Sequence, residues 1–209
     1  MKLQTALDLL STADALKLLI GVAPYVDIIE IGTPLIKIDG LSAVRNVKAA
    51  HPDKELFADL KTMDAGELEA KLAFEAGADS VGILGVANDA TIAGAVKAAR
   101  AFGRQVVVDL IGVPAPHRLA RIREMAALGV NRVEVHAGLD EQAIPGYNVV
   151  DLLKTVEGAE LPLAVAGGVN LSSIGNVKNA GASVAVVGSG IYGAPDPAAA
   201  ARALKEAIG

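Results

Sequence analysis

Eight short runs rich in Val, Ile and Leu alternate with longer Ala/Leu/Lys/Glu segments along the whole chain, and this alternation limits the folds open to it. The runs are Leu3 to Leu9, Asp27 to Gly32, Leu56 to Lys61, Asp79 to Val86, Gln105 to Val113, Asn131 to Gly138, Leu161 to Val169 and Ser183 to Gly190. Between them, apolar residues recur at helical spacing, as in Leu68, Leu72, Phe74 and Ala76 before Gly77, or Ile122, Met125 and Ala126 before Gly129. Each of those glycines suits a helix C-terminus. Nearly continuous apolar strands point to a parallel sheet buried on both faces, because a solvated face would show strict alternation. Eight strand-then-helix units in 209 residues predict one small α/β domain over 1–209, a (β/α)8 TIM barrel with no room for insertions. The units lack the self-similarity of a solenoid. An open doubly wound sheet is the alternative, but its glycine-rich phosphate turn is missing after the first strand, which reads Asp8-Leu9-Leu10-Ser11-Thr12.

Hydrophobic residues make up 52% of the chain and charged residues 21%, enough to bury a large core. Aromatic residues are only 3%, Trp is absent and the net charge is -5, so the chain offers neither stacking platforms nor a basic surface to nucleic acid. Without Cys it has no disulfides, thiolate metal sites or cysteine nucleophiles. Asp8 interrupts the region where a signal peptide would still be apolar. The longest charge-free stretches, Leu161 to Val177 and Asn179 to Pro195, fall short of the roughly 20 apolar residues of a spanning helix. A cytoplasmic protein without membrane contact is expected.

In such a barrel chemistry sits at the C-terminal ends of the strands. There Asp8, Glu30, Asp59 and Lys61 end otherwise apolar runs, and ionised groups so placed must pair, bind a cation or face a ligand. Salt bridges closing the barrel mouth are the plainer reading, but several such groups converging on one rim favour a site. Asp59 and Lys61, two apart on a strand, leave the same face. Lys61 lies between two acids, which favours its charged form, so it reads as a fixed cation or proton donor. Asp64 has two readings, a site carboxylate or a helix N-cap in the capping-box-like string Asp64-Ala65-Gly66-Glu67. Glu30 and Asp59, on neighbouring strands, offer carboxylate oxygens of the kind Mg²⁺ takes. His136 ends the sixth strand and is a proton-transfer candidate, while His51 and His117 lie in connections. Asp109 ends the fifth strand, and its role stays open.

The last two strands end in glycine-rich strings, Ala166-Gly167-Gly168-Val169 and Val187-Gly188-Ser189-Gly190-Ile191. Gly167, Gly168, Gly188 and Ser189 can bring backbone N–H groups close to an anion, and barrels of this type often hold phosphate there. An anionic ligand of a chain with net charge -5 needs such local donors.

Taken together, Asp59-x-Lys61-x-x-Asp64, Asp8, Glu30 and the late glycine strings resemble the orotidine 5'-monophosphate decarboxylase suprafamily of phosphate-binding barrels, over nearly the whole chain. Within it, the strings 57–66, Glu30-Ile31-Gly32-Thr33-Pro34 and His136-Ala137-Gly138-Leu139-Asp140 resemble the branch that condenses formaldehyde with D-ribulose 5-phosphate using Mg²⁺. A sister branch, the 3-keto-L-gulonate-6-phosphate decarboxylases, carries arginines where this chain has Leu139 and Ser189. The resemblance implies Glu30 and Asp59 as Mg²⁺ ligands, Lys61 beside the enediolate oxygens and Asp8 near the substrate hydroxyls. It further implies His136 as the candidate shuttle of the C1 proton, with Asp64 or Asp59 as alternative bases, and a homodimer in which Asp64 reaches the neighbouring subunit's site.

Overall fold

The structure is a computed structural model describing residues 1–209. Eight parallel strands close into a barrel in sequence order: β1 (Lys2–Leu7), β2 (Ile28–Ile31), β3 (Glu55–Thr62), β4 (Ser80–Leu84), β5 (Gln105–Asp109), β6 (Arg132–His136), β7 (Leu163–Ala166) and β8 (Val184–Val187). Closure is made by β1 against β8, with Lys2 opposite Val184 and Thr5 opposite Val187. The helices are α1 (Thr12–Val22), α2 (Thr33–Asp39), α3 (Ser42–Ala50), α4 (Gly66–Glu75), α5 (Asp89–Phe102), α6 (Arg118–Leu128), α7 (Leu139–Gln142), α8 (Val149–Lys154), α9 (Ile174–Asn179), α10 (Ser189–Tyr192) and α11 (Pro197–Ile208). Units two, six and eight thus carry two helices each rather than one. Gly129 ends α6 with φ 91° and Gly77 follows α4 with φ 107°, as the sequence pattern expected. No helix is long and apolar enough to cross a membrane.

The strands are shorter than the apolar runs, and the trimmed residues matter. Asp8 follows β1, the Gly167-Gly168 pair follows β7 and Gly188 follows β8, so all of these stand on loops at the C-terminal rim. Two apolar cores explain the continuous apolar strands. The outer faces pack against the helices in a cluster of 53 buried residues, and a smaller one inside the barrel holds Ala6, Ile28, Phe57, Val107, Ala164, Ala166, Val184 and Val186. With a two-residue period, Ala6 places Gln4 and Asp8 on the inner face, Ile28 places Glu30, Phe57 places Asp59, and Val107 places Asp109. The barrel axis therefore changes from apolar to ionisable towards its C-terminal mouth.

Strand β3 departs from this regularity. Its pairing with β4 shifts register between Ala58 and Thr62, and Lys61 sits at φ 47° in the left-handed region. The capping box expected at Asp64 does not form. Ala65, at φ 53°, precedes α4, the Asp64 carboxylate accepts only the neighbouring Ala65 N–H at 2.7 Å, and Glu67 pairs with Lys97 instead. The left-handed Ala65 turns the chain before the helix starts, which removes the geometry an Asp64 cap needs.

Candidate active site

Inward residues of β1, β2, β3, β5 and β6 meet towards the mouth as a polar cluster. Lys61 reaches back over its own strand, placing Nζ 2.9 Å from Asp59 Oδ2 and 2.8 Å from Asp109 Oδ2. Asp59 and Lys61 meet as their spacing suggested, though through the local distortion of β3, and the second acid on the amine is Asp109 rather than Asp64. Asp109 is the hub. Its Oδ2 also meets His136 Nδ1 at 2.9 Å, and its Oδ1 accepts the Ile111 N–H at 2.8 Å. On the other side Asp59 accepts the Thr33 hydroxyl at 2.8 Å, and Glu30 accepts the Gln4 amide at 2.7 Å.

Electrostatics divide these groups. Burial opposes the charge on Lys61, yet Asp109 and Asp59 outweigh it and raise the amine above its ordinary value. For Asp109 the penalty of burial is overcome by the bonds and charges of His136 and Lys61, which hold it ionised, and His136 is in turn raised by Asp109. Glu30 lacks such a cation. Burial, then the nearby charge of Asp59, pushes it up to about 8. Asp8 is raised for the same two reasons.

Two groups of donors invite a cation, and they differ. Asp109, Glu134 and His136 bring ligand atoms within 4.8 Å of one another, but Asp109 Oδ2 already takes Lys61 and His136, while Glu134 Oε2 has no hydrogen-bond partner. Glu30 and Asp8 resist ionisation because of burial and then the nearby charge of Asp59, which marks a deficit of positive charge beside oxygen donors. A hard divalent cation such as Mg²⁺ would relieve that deficit.

The glycine strings lie against this cluster. Gly167 and Gly168 have φ 99° and 78°, and a Cβ on Gly167 would stand 2.5 Å from the Ala137 carbonyl oxygen, just past His136. A Cβ on Gly188 would stand 3.5 Å from Asp8 Oδ2, and Ser189 follows as the first residue of α10. Asp8, Glu30, Asp59, Lys61 and His136 are thus brought to one mouth with both glycine turns, whereas Asp64 is exposed away from the cluster within the single chain.

Glu134 is the residue that sequence reasoning missed. It is buried, lies 3.5 Å from His136 Nδ1, and is raised well above its usual value by burial and by Asp109. A signal was present, since Glu134 stands two residues before His136 and shares its face.

Comparison with known proteins agrees with this architecture. The family model described as "Orotidine 5'-phosphate decarboxylase / HUMPS family" matches residues 1–204. A 3-hexulose-6-phosphate synthase from Mycobacterium gastri is 61% identical over 208 residues, covering 100% of both chains. A crystal structure titled 3-hexulose-6-phosphate synthase superposes with a TM-score of 0.97 at 61% identity, again over 100% of each chain. A 3-keto-L-gulonate-6-phosphate decarboxylase from Vibrio cholerae superposes with a TM-score of 0.87 at 29% identity, covering 99% of this chain and 96% of that one. Full-length likeness of this degree, on a mouth furnished as described, makes the chain an enzyme that belongs to the orotidine 5'-phosphate decarboxylase / HUMPS family.

Proposed function

We propose that the enzyme fixes formaldehyde by condensing it with D-ribulose 5-phosphate to D-arabino-hex-3-ulose 6-phosphate, an aldol addition of the aldehyde-lyase class and a step of ribulose monophosphate metabolism. The observation that carries this reading is the hydrogen-bonded chain Asp59–Lys61–Asp109–His136, a fixed cation and a proton-transfer group tied to one carboxylate hub. The naming of the 61% identical relative supports it. Leu139 and Ser189 support it too, standing where the decarboxylase branch of the resemblance carries arginines.

In this reading, the unpaired N–H groups of the Gly167-Gly168 and Gly188-Ser189 turns hold the phosphate, and Asp8 orients the substrate hydroxyls. Glu30 and Asp59 hold Mg²⁺, which when bound supplies Lewis-acid polarisation of the substrate oxygens. Asp109 accepts the Nδ1 proton of His136, leaving Nε2 to take a proton from C1. Lys61, pinned by two carboxylates, faces the negative charge of the resulting 1,2-enediolate without having to reorganise. The C1 carbon then attacks the formaldehyde carbon, and the new alkoxide takes up a proton, so the reaction consumes none overall. Phosphate binding far from C1 supplies orientation, so a substrate without phosphate loses turnover as well as affinity.

A homodimer belongs to the same proposal. Exposed apolar side chains on and after the loops of β1 to β4, namely Leu10, Ile38, Met63, Leu68 and Val86, of which Met63 and Leu68 flank Asp64 in sequence, give a second copy apolar groups to cover. Sedimentation equilibrium at micromolar concentration tests it, and a monomer there removes it.

The function is tested by following loss of formaldehyde in the presence of ribulose 5-phosphate, with Mg²⁺ and then with excess chelator. Loss that needs both sugar phosphate and metal is expected. No loss in either condition overturns the reading, and CO₂ release from 3-keto-L-gulonate 6-phosphate would then move the enzyme to the decarboxylase branch.

A further inference from the structure

The segment between β6 and α8 touches the β7 glycine turn at defined points. The Tyr147 hydroxyl donates to the Gly167 carbonyl oxygen at 2.7 Å. Its ring lies 3.4 Å from where a Cβ on Gly168 would be, and Gln142 Oε1 stands at the same distance on that glycine. Gln142 is itself tied down, since its amide donates to the Ala137 carbonyl oxygen at 2.8 Å. Tyr147 therefore grips the turn by a hydrogen bond, and Gln142, the last residue of α7, stands beside it.

What the grip fixes is a peptide plane. Across a trans peptide the carbonyl of residue 167 and the N–H of residue 168 point in opposite directions, so holding one aims the other. Without an anchor this plane is soft, because it is flanked by two glycines at positive φ, 99° and 78°, for which other conformations are nearly as accessible. The Gly168 N–H donates to no other group of the protein. Burial and the charge of Glu141 push Tyr147 up to about 12, so its hydroxyl keeps its proton throughout the working range.

We propose that Tyr147 is a positioning residue for the substrate phosphate: its hydroxyl fixes the Gly167–Gly168 peptide and so aims the Gly168 N–H into the anion site. Gln142, bonded to the Ala137 carbonyl oxygen, stands beside the same turn. The inference rests on the sugar-phosphate reading above and adds to it a residue that contacts neither the reacting carbon nor the carboxylate cluster.

The test is calorimetric binding of inorganic phosphate and of ribulose 5-phosphate to the full-length protein and to Tyr147→Phe, which keeps the ring and removes only the donor. About three- to tenfold weaker binding of both probes is expected, the size of one lost hydrogen bond. Unphosphorylated D-ribulose should bind the two proteins alike, and kcat should stay within about twofold while KM for ribulose 5-phosphate rises. Gln142→Ala should shift phosphate affinity in the same direction with an unchanged melting temperature. Equal phosphate affinity in wild type and Tyr147→Phe overturns the positioning role. A wild-type protein that binds neither phosphate nor ribulose 5-phosphate instead overturns the sugar-phosphate reading on which it rests.

Discussion

At the scale of single residues, the mouth is governed by how few cations face its carboxylates. Lys61 serves both Asp59 and Asp109, so Lys61→Ala leaves two buried acids in the cluster without their shared partner. Loss of about a hundred- to a thousandfold in kcat is expected, as for removal of a preorganised donor, with the circular dichroism of the barrel retained. Steady-state kinetics beside a far-UV spectrum check this, and near-normal turnover would remove Lys61 from the mechanism. Glu30 carries a pH prediction. Its folded value of about 8 lies above its ordinary 4.5, so between those values the folded protein holds a proton that the unfolded chain has released. Its contribution to stability is fully present below about 4.5 and is lost as pH rises through about 8 in the metal-free protein. Urea melts at pH 5, 6.5 and 8 should show the decline, Glu30→Gln should flatten it, and Mg²⁺ should restore more stability at pH 8 than at pH 6.5. These candidate residues were legible in sequence because ionisable groups stand out against apolar strands. Glu134 was passed over because it sits inside a strand rather than at its end, where only the two-residue period reveals its face.

Among elements, the closest approach is between α4 and α5. A Cβ on Gly66 would fall 1.9 Å from the Thr91 carbonyl oxygen, so the first turn of α4 lies almost on the first turn of α5. Gly66→Ala must push backbone apart, and a loss of about 2–3 kcal/mol in a urea melt is expected, against little change for Gly175→Ala, where open space surrounds the new methyl. Ala65, just before, holds φ 53° without being glycine. Ala65→Gly should therefore raise stability by about 0.5–1 kcal/mol, since a left-handed backbone costs an alanine roughly 1–2 kcal/mol and the extra freedom of the unfolded glycine returns part of it. An unchanged melting temperature in that variant would mean that the turn carries no strain. Neither feature was legible in the string Asp64-Ala65-Gly66-Glu67, which reads as an ordinary helix start. Local sequence suggests a cap, but the distortion of β3 and the pressure of α5 decide how the chain enters α4.

For the molecule as a whole, closure of β1 on β8 makes the first and last strands neighbours, so no unit can leave without opening the barrel. A single cooperative transition over the full chain is expected, with calorimetric and van't Hoff enthalpies equal, and two separated transitions would show that 1–209 is more than one folding unit. The sequence by itself determined a parallel sheet covered by helices, because eight continuous apolar runs must be buried on both faces, and the pairing of β1 with β8 decides for the closed barrel over the open sheet. It also placed Asp8, Glu30, Asp59 and His136 at the mouth, since those residues end their runs and the ends of parallel strands share one rim. What it could not decide were relations between strands distant in the chain. Asp109 as the shared acceptor of Lys61 and His136, Gln4 as the donor to Glu30 and Tyr147 as the anchor of Gly167 follow from strand order, register and the path of one loop. Hydrogen bonds depend on distances of tenths of an ångström between such groups, and only the closed tertiary structure sets those distances.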